Sequence, residues 1–382
     1  FARVIYIGQP LAILAVEKLD RGPNTQAHHV EQVIRLRIAQ GHGLPRSQRL
    51  IYIEPDARLC HKKEPMPQTF KMPEGQSVAD APKGNWVDLY APAITRPYLR
   101  LSRADRPIGT WLLLIPCLWG IALAALESGY GWWDLWLAVS CGLGAFLMRG
   151  AGCTWNDITD RHIDAAVART KSRPLPSGAV TVRGAVVWMV AQALVAALIL
   201  FTYNWLAVGL GVASLGLVAI YPFAKRFTWW PQVFLGLAFN WGAVLVFTAH
   251  QGRIGGASLA LYGAGIAWTL YYDTIYAHQD KDDDALIGVK STARLFGDNS
   301  RVWLWGFIVA TLALMVLAIL LAQAAGLALG VALLGVAAFG LHMMRQMRRL
   351  DMDDAGSCLR EFRSNRDAGL LAALFLAVAA AV

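Results

Sequence analysis

The strongest constraint on this chain is a succession of apolar runs, each close to the ~20 residues that a helix needs to cross a hydrocarbon layer. They fall at 108–126, 133–153, 182–202, 204–223, 232–250, 257–277, 302–322, 326–344 and 368–382, the break at Tyr203-Asn204 being brief and the last run the shortest. Backbone groups inside lipid find no water, so each run has to be helical, and nine of them predict an all-α polytopic membrane bundle of nine transmembrane helices. Composition agrees. Of 382 residues 56% are hydrophobic and 16% charged, with mean hydropathy +0.42, against about 25% charged in a soluble domain.

The net charge of +9 invites a nucleic-acid partner, but topology accounts for it. Arg96, Arg100, Arg103 and Arg106 precede the first run. The loops after the second, fourth, sixth and eighth runs carry Arg161, Arg169, Lys171 and Arg173, then Lys225 and Arg226, then Lys281, Lys290 and Arg294, then Arg345, Arg348, Arg349, Arg360, Arg363 and Arg366. The opposite loops hold almost nothing basic except Arg253. By the positive-inside rule the N-terminus and every even-numbered exit are cytoplasmic. No nucleic acid is implied; the surroundings are membrane lipids.

Residues 1–90 are a different kind of chain: polar, sprinkled with proline, with short β-like pieces such as Val4-Ile-Tyr-Ile7 and no spanning run. The sequence opens at Phe1, and Met66 and Met72 lie just ahead of Asn85-Trp-Val-Asp88. Two origins stay open for the first sixty-odd residues, read-through from an upstream start or a genuine small cytosolic extension, and on either one the segment is expected to be dispensable to an intramembrane domain at 91–382. No signal-peptide pattern is present, so the first spanning helix is expected to direct insertion. Cys60, Cys117, Cys141, Cys153 and Cys358 are odd in number and form no CxxC pair, so they are read as packing residues rather than disulfides or zinc ligands.

The chemistry is concentrated where apolar runs turn acidic. In Gly150-Ala-Gly-Cys-Thr-Trp-Asn-Asp-Ile-Thr-Asp-Arg-His-Ile-Asp164, the residues Asn156, Asp160 and Asp164 are spaced by four and share one helical face. Three oxygen donors on one face can hold a hard divalent cation, and Mg2+ held by carboxylates usually takes substrate phosphate as a further ligand. After the sixth run Asp280 and Asp284 repeat the spacing, with Asp273 seven residues earlier on the same expected face. Both patches fall after even-numbered runs, so they face the same side, and the chain reads as two copies of a four-helix unit, each with an acidic loop after its second helix. Interleaved Arg169, Lys171, Arg173, Lys225, Arg226, Lys281 and Lys290 complete the parts needed to grip a diphosphate, and a membrane setting makes the substrate a lipid diphosphate. Tyr221, Tyr271, Tyr272 and Tyr276 stand at the same helix ends, where they either line a cavity and stabilise a carbocation through their ring faces or belong to the interfacial aromatic belt. His162 and His278 are read as loop histidines, since Mg2+ prefers oxygen.

These stretches, with Arg169-Thr-Lys-Ser-Arg-Pro-Leu-Pro-Ser-Gly178, Tyr221-Pro-Phe-Ala-Lys-Arg226, Tyr272-Asp-Thr-Ile-Tyr-Ala-His-Gln-Asp-Lys-Asp-Asp-Asp284 and Gly288-Val-Lys-Ser-Thr292, resemble the UbiA superfamily of intramembrane prenyltransferases. Within it they are most similar to bacterial enzymes that prenylate 4-hydroxybenzoate for ubiquinone. The resemblance runs from about Asn85 to the C-terminus. It implies Mg2+, and through it a polyprenyl diphosphate, at Asn156, Asp160, Asp164, Asp273, Asp280 and Asp284; phosphate contacts from Arg173, Lys225 and Arg226; and pocket roles for Arg103 and Arg149, with Tyr221 and Tyr276 beside them. Asp157 and Asp283 sit off the stripes, so a capping or supporting role is expected for them. The implied reaction transfers the polyprenyl group to the ring of 4-hydroxybenzoate in a bacterial inner (cytoplasmic) membrane, with the site on the cytoplasmic side. Rival readings are another acceptor (dihydroxynaphthoate, homogentisate, a chlorophyll precursor or haem) or, in a different class, a divalent-cation transporter. The Asp-Gly-rich motif of CDP-alcohol phosphotransferases is missing from the sequence.

Overall fold

The structure is a computed structural model that describes residues 81–82, 84–166, 170–281, 284–285 and 288–382. The N-terminal stretch through residue 80, with its β-like pieces, lies outside the described residues, as do Arg169, Asp282 and Asp283. Two short helices come first: α1 (Trp86–Tyr90), capped by the Asn85 side chain accepting from Asp88 N, and α2 (Arg96–Leu101). They are joined by an Arg100–Asp88 ion pair at 2.8 Å and by Trp86 donating to Ala104 O. The long helices follow as α3 (Ile108–Ser128), α4 (Trp132–Ala166), α5 (Val182–Leu200), α6 (Trp205–Phe227), α7 (Pro231–Gln251) and α8 (Gly256–Ala277). After a 3-10 turn at His278–Asp280 and the short α9 (Thr292–Phe296) come α10 (Ser300–Leu321), α11 (Gly326–Arg349) and α12 (Ala355–Ala379).

The described residues thus contain nine long helices, one for each apolar run, and seven are both long and apolar enough to cross a membrane. The other two are α8, diluted by Tyr262, Trp268, Tyr271, Tyr272, Asp273 and Tyr276, and α12, whose first half carries Arg360, Glu361, Arg363 and Arg366. The brief break at Tyr203-Asn204 is a real helix boundary. Asn204 caps α6 by accepting from Ala207 N, while its amide donates to the last carbonyls of α7 at Thr248 and Ala249.

Two boundaries differ from the sequence expectation. The second helix does not stop at 153. With no proline or helix-ending glycine between Thr154 and Ala166, α4 runs for 35 residues, about 52 Å at 1.5 Å per residue against a hydrocarbon layer of about 30 Å. The first acidic patch is therefore the protruding end of a helix, not a loop. The last helix begins at Ala355 rather than 368, because the Asp354 side chain accepts from Gly356 N and Ser357 N and starts it early.

The core lies between α3, α7, α8, α10, α11 and α12. Trp119, Trp268 and Phe339 pack with ring centroids 4.9–5.8 Å apart, and Trp119 and Trp268 donate to Gly369 O and to Asn365. Small residues set the spacing: a Cβ on Gly120 would stand 2.5 Å from Ala243 O, so α3 and α7 meet at glycine. In contrast α5 buries only Ala185 and Gln192 and turns Val187, Leu194 and Leu198 outward, as a lipid-facing helix does. The alternation of helices predicts that reporter fusions at Gly129 and Gly252 register one compartment and a fusion at Asn299 the opposite one. A shared signal at Gly252 and Asn299 would break this topology.

Candidate functional site

The protruding end of α4 carries the first patch. Asp160, 1% exposed, accepts from Lys225 Nζ and from Arg226 Nη2 (3.2 Å), both in the last turn of α6. Asp164, one turn on, accepts from Arg173 Nη1 at 3.0 Å, and its backbone carbonyl accepts from Thr170 Oγ1 at 2.9 Å. Asn156, half-buried, completes the stripe one turn before Asp160. The helix positions these groups, and α6 delivers its cations because Lys225 and Arg226 lie where a C-terminal dipole favours them.

Asp157, off the stripe, is the most buried of the group. Its Oδ1 accepts from Arg103 Nη2 at 2.7 Å and lies 3.6 Å from Arg173 Nη1, while its Oδ2 is buried with no hydrogen-bond partner. In mid-helix it caps nothing and instead pairs with Arg103 and Arg173. Arg103 is held in turn. It is 7% exposed, its backbone is left-handed at φ 57°, and its Nη1 donates to Arg100 O. A non-glycine residue there costs of order 1–3 kcal/mol and persists only where the surroundings fix it; the Asp157 pair supplies that fixing. Arg103 is thus a bound partner of the acidic helix.

The second patch is built differently. Asp273 lies on α8, which ends at Ala277, and the 3-10 turn His278–Asp280 carries the chain on to Asp280. His278 makes the joint: buried, it bonds Thr274 O through Nδ1 at 2.8 Å and Ser300 Oγ through Nε2 at 3.2 Å. Burial lowers its pKa below the ordinary histidine value. It is a structural tie, not a loop residue, while His162 is exposed on α4. Beyond it, Val289 N and Arg294 Nη1 donate to Asp284 O, and Lys290 N donates to Lys225 O at 3.3 Å. That last bond fastens the second acidic segment to the cationic end of α6.

On α4, Arg149 precedes Asn156 by seven residues, about two turns. Its guanidinium lies 5.3 Å from the Phe239 ring centroid, and its Nε is buried with no hydrogen-bond partner. Asp273 and Tyr221 share its electrostatic neighbourhood. Gly109 makes the room: a Cβ there would sit 2.5 Å from Arg149 Nε. Of the four tyrosines, Tyr271 turns away to donate to Met343 O and Gln346 Oε1 and belongs to the core. Tyr272 is packed edge-on to Trp268 at 5.1 Å, and Tyr276 lies against Phe362 at 4.6 Å. Gly109, Phe239 and the hub role of Asp157 were not visible beforehand; only the placement of Asp157 inside the motif marked it.

Among the described residues no three His, Cys, Asp or Glu side chains converge as a ready metal cage. The donors nevertheless suit a hard divalent ion: they are carboxylate and amide oxygens, one buried carboxylate oxygen of Asp157 lacks a partner, and Lys225, Arg226 and Arg173 now cover the faces of Asp160 and Asp164.

A multi-pass all-α bundle whose acidic helix end is covered by lysine and arginine is a membrane-embedded anion-handling protein. The model of the UbiA prenyltransferase family matches residues 113–379, and the chain belongs to that family. It is 45% identical over 335 residues to 4-hydroxybenzoate polyprenyltransferase, mitochondrial, of Drosophila pseudoobscura pseudoobscura, covering 86% of this chain and 81% of that one. The mouse protein of the same name is 48% identical over 289 residues, 75% of each chain. Coverage of 86% does not fit within residues 71–382, so similarity reaches back before residue 70, further than the motifs alone indicate. The fold matches an apo UbiA homolog from Aeropyrum pernix K1 (TM-score 0.59, 23% identity, 70% of this chain and 97% of that one). It also matches an Archaeoglobus fulgidus homolog bound to GPP and Mg2+ (TM-score 0.56, 22% identity, 75% and 100%).

Because Gly109 leaves the space that Arg149 fills, Gly109→Ala is expected to displace the guanidinium and lower kcat/KM for prenyl transfer by up to about 100-fold, the effect of misplacing a site group by an ångström. The thermal midpoint of the purified protein should change little. Unchanged kinetics would show that Arg149 is not held where catalysis needs it.

Proposed function

We propose that this protein transfers the polyprenyl group of a polyprenyl diphosphate to the ring carbon beside the hydroxyl of 4-hydroxybenzoate, with Mg2+, and releases diphosphate. The observation that carries this reading is the α4 stripe of Asn156, Asp160 and Asp164 met by Lys225, Arg226 and Arg173, with the Asp273–Asp284 segment fastened to the same end of α6. The names of the relatives supply the acceptor. Dihydroxynaphthoate, homogentisate, a chlorophyll precursor and haem remain the alternatives, and family membership sets aside a cation transporter.

Mg2+ would be held by Asn156, Asp160 and Asp164 and by Asp273, Asp280 and Asp284, where it neutralises diphosphate charge. Lys225, Arg226 and Arg173, now on the carboxylates, turn to phosphate oxygens, the planar guanidinium fork suiting two oxygens at once. The allylic C–O bond breaks with its electron pair leaving on diphosphate. Tyr221 and Tyr276 present ring faces to the cation, and the closed bundle keeps water from quenching it. The ring carbon attacks, and loss of its proton restores aromaticity. Arg149, with its unpartnered Nε, takes the benzoate carboxylate, while Asp157 holds Arg103 and Arg173 at the diphosphate end.

The relatives are named as mitochondrial, so a bacterial inner membrane is one of two settings. In either, the alternation of basic loops favours a site facing the positive side, cytoplasm or matrix. Residues 91–382 are proposed as the catalytic unit. A variant beginning at Met66 should insert and remain active, and loss of activity at normal expression would make the preceding segment functional.

Purified membranes given Mg2+, a polyprenyl diphosphate and a panel of the aromatic acceptors should prenylate 4-hydroxybenzoate preferentially; preference for another acid overturns the acceptor. Asp160→Asn and Asp280→Asn should each lower turnover by about 100-fold or more, and together by less than the product, because the groups act as a unit. Excess Mg2+ should partly rescue each, and Asp157→Asn should be milder. If Asp280→Asn is near normal while Asp160→Asn is dead, the second patch does not share the diphosphate.

A further inference from the structure

A hydrogen-bonded chain of side chains joins α7 to α8, and the reaction above gives it no task. Asn240 Nδ2 donates to Gly236 O at 2.8 Å and to Thr269 Oγ1 at 2.8 Å, and Thr269 Oγ1 donates to Tyr272 Oη at 3.1 Å. All three side chains are buried. Their proton directions follow one from another. A backbone carbonyl can only accept, so the Asn240 atom that faces Gly236 O is the nitrogen, and both of its protons are then committed. Thr269 Oγ1 accepts one of them and gives its own proton to Tyr272. Tyr272 Oη is thereby used as an acceptor, and the proton it carries finds no acceptor among the described residues.

Packing holds this arrangement. The Tyr272 ring stands edge-on to Trp268 at 5.1 Å and to Phe362 at 5.9 Å. Asn240 Oδ1 lies against Gly265, where a Cβ would come within 2.2 Å of it. A tie whose only task is to join two helices has no need of a buried O–H that donates to nothing, and such a group is costly to leave unmade. The position is also informative. Phe239, next to Asn240 on α7, lies 5.3 Å from the Arg149 guanidinium, and Asp273, Arg149 and Tyr221 share the electrostatic neighbourhood of Tyr272. Arg149 Nε is itself buried and unpartnered. Two unpartnered donors, one cationic and one neutral, suit one anion that offers two oxygens. The diphosphate has cations of its own in Lys225, Arg226 and Arg173, which stand at Asp160 and Asp164.

We propose that Tyr272 is a specificity-determining residue: its hydroxyl donates to one oxygen of the acceptor's carboxylate while Arg149 takes the other, and Thr269 and Asn240 are positioning residues that keep the Tyr272 proton directed there. The inference rests on the proposed reaction, in which Arg149 meets the benzoate carboxylate. An aromatic acceptor lacking the carboxylate would leave both buried donors unpaired, which is how such a site rejects it.

The test measures steady-state kinetics of the purified full chain with Mg2+, a polyprenyl diphosphate and 4-hydroxybenzoate. Y272F keeps the ring and removes the hydroxyl; it should raise KM for 4-hydroxybenzoate about tenfold or more, as loss of a hydrogen bond to a charged group does, and leave KM for the polyprenyl diphosphate unchanged. T269V keeps the side-chain shape but removes the proton given to Tyr272. It should raise the same KM about fivefold, and T269S should restore it. The double variant Y272F/T269V should be no worse than Y272F, because Thr269 acts only through the Tyr272 hydroxyl, whereas two independent packing defects would add. An unchanged KM for 4-hydroxybenzoate in Y272F, a rise in KM for the polyprenyl diphosphate in its place, or additive effects in the double variant overturns the inference. If the unaltered protein does not prenylate 4-hydroxybenzoate, the proposed reaction fails and this inference with it; if it does and Y272F keeps its KM, only this inference fails.

Discussion

Charge compensation at the end of α4 is the interaction on which the rest of this architecture rests. Asp157, Asp160 and Asp164 are all nearly excluded from solvent beside a membrane body, and an uncompensated carboxylate in such a place costs several kcal/mol. The structure answers with cations drawn from three directions: Arg103 from the turn before α3, Arg173 from the segment after α4, and Lys225 with Arg226 from the last turn of α6. Each has a structural consequence. Arg103 accepts a left-handed backbone, Thr170 bonds back to the Asp164 carbonyl, and α6 must reach as far out as α4 does.

That requirement separates the bundle into two kinds of helix. The side formed by α3, α7, α8, α10, α11 and α12 is tightly interlocked through Trp119, Trp268, Phe339 and glycines where backbones meet, and it fixes Asp273, Tyr272 and Tyr276. The side formed by α4, α5 and α6 buries less of itself and is joined to the α1–α2 region through polar contacts, among them Trp188 Nε1 to Ser102 Oγ at 2.7 Å and Ser102 Oγ to Gln192 Oε1 at 3.1 Å. Arg149 is where the two sides meet at the site, projecting from α4 past Gly109 of α3 onto Phe239 of α7.

Most of this was legible in the sequence, for a physical reason. Lipid removes every alternative to helix for a long apolar run, so the number and order of the long helices followed from hydrophobicity alone. The four-residue spacing of Asn156, Asp160 and Asp164 was legible because it matches the helical repeat. What escaped depends on where a helix stops once it leaves lipid. Polar residues such as Asn156, Asp157 and Arg161 read as loop by composition, yet nothing in them breaks a helix, and ion pairing to α6 rewards continuing it. Similarly, the first half of α12 is charged but well capped by Asp354. Nor did composition show that His278 would be buried and bridge Thr274 and Ser300. Gly109 and Phe239 carried no local signal, since their meaning lies in Arg149, forty residues after the one and ninety before the other.

The two acidic segments are consequently not equivalent halves of a clamp, whatever their likeness in sequence. The first is part of a continuous helix and its carboxylates are already neutralised by cations of the same protein. The second follows a 3-10 turn and is tied by one backbone bond, Lys290 N to Lys225 O, and by the Arg294 side chain, whose Nη1 donates to Asp284 O. On the proposed function, Lys225, Arg226 and Arg173, which here cover Asp160 and Asp164, would leave oxygen atoms that a bound metal can satisfy and turn to oxygen atoms that only the substrate brings. Lys225 O accepts from Lys290 N, so that backbone tie would stay in place as the Lys225 ammonium moves. The cations that cover the acidic helix end would thus be the ones that draw charge onto the leaving group, and the carboxylates would be covered in either state.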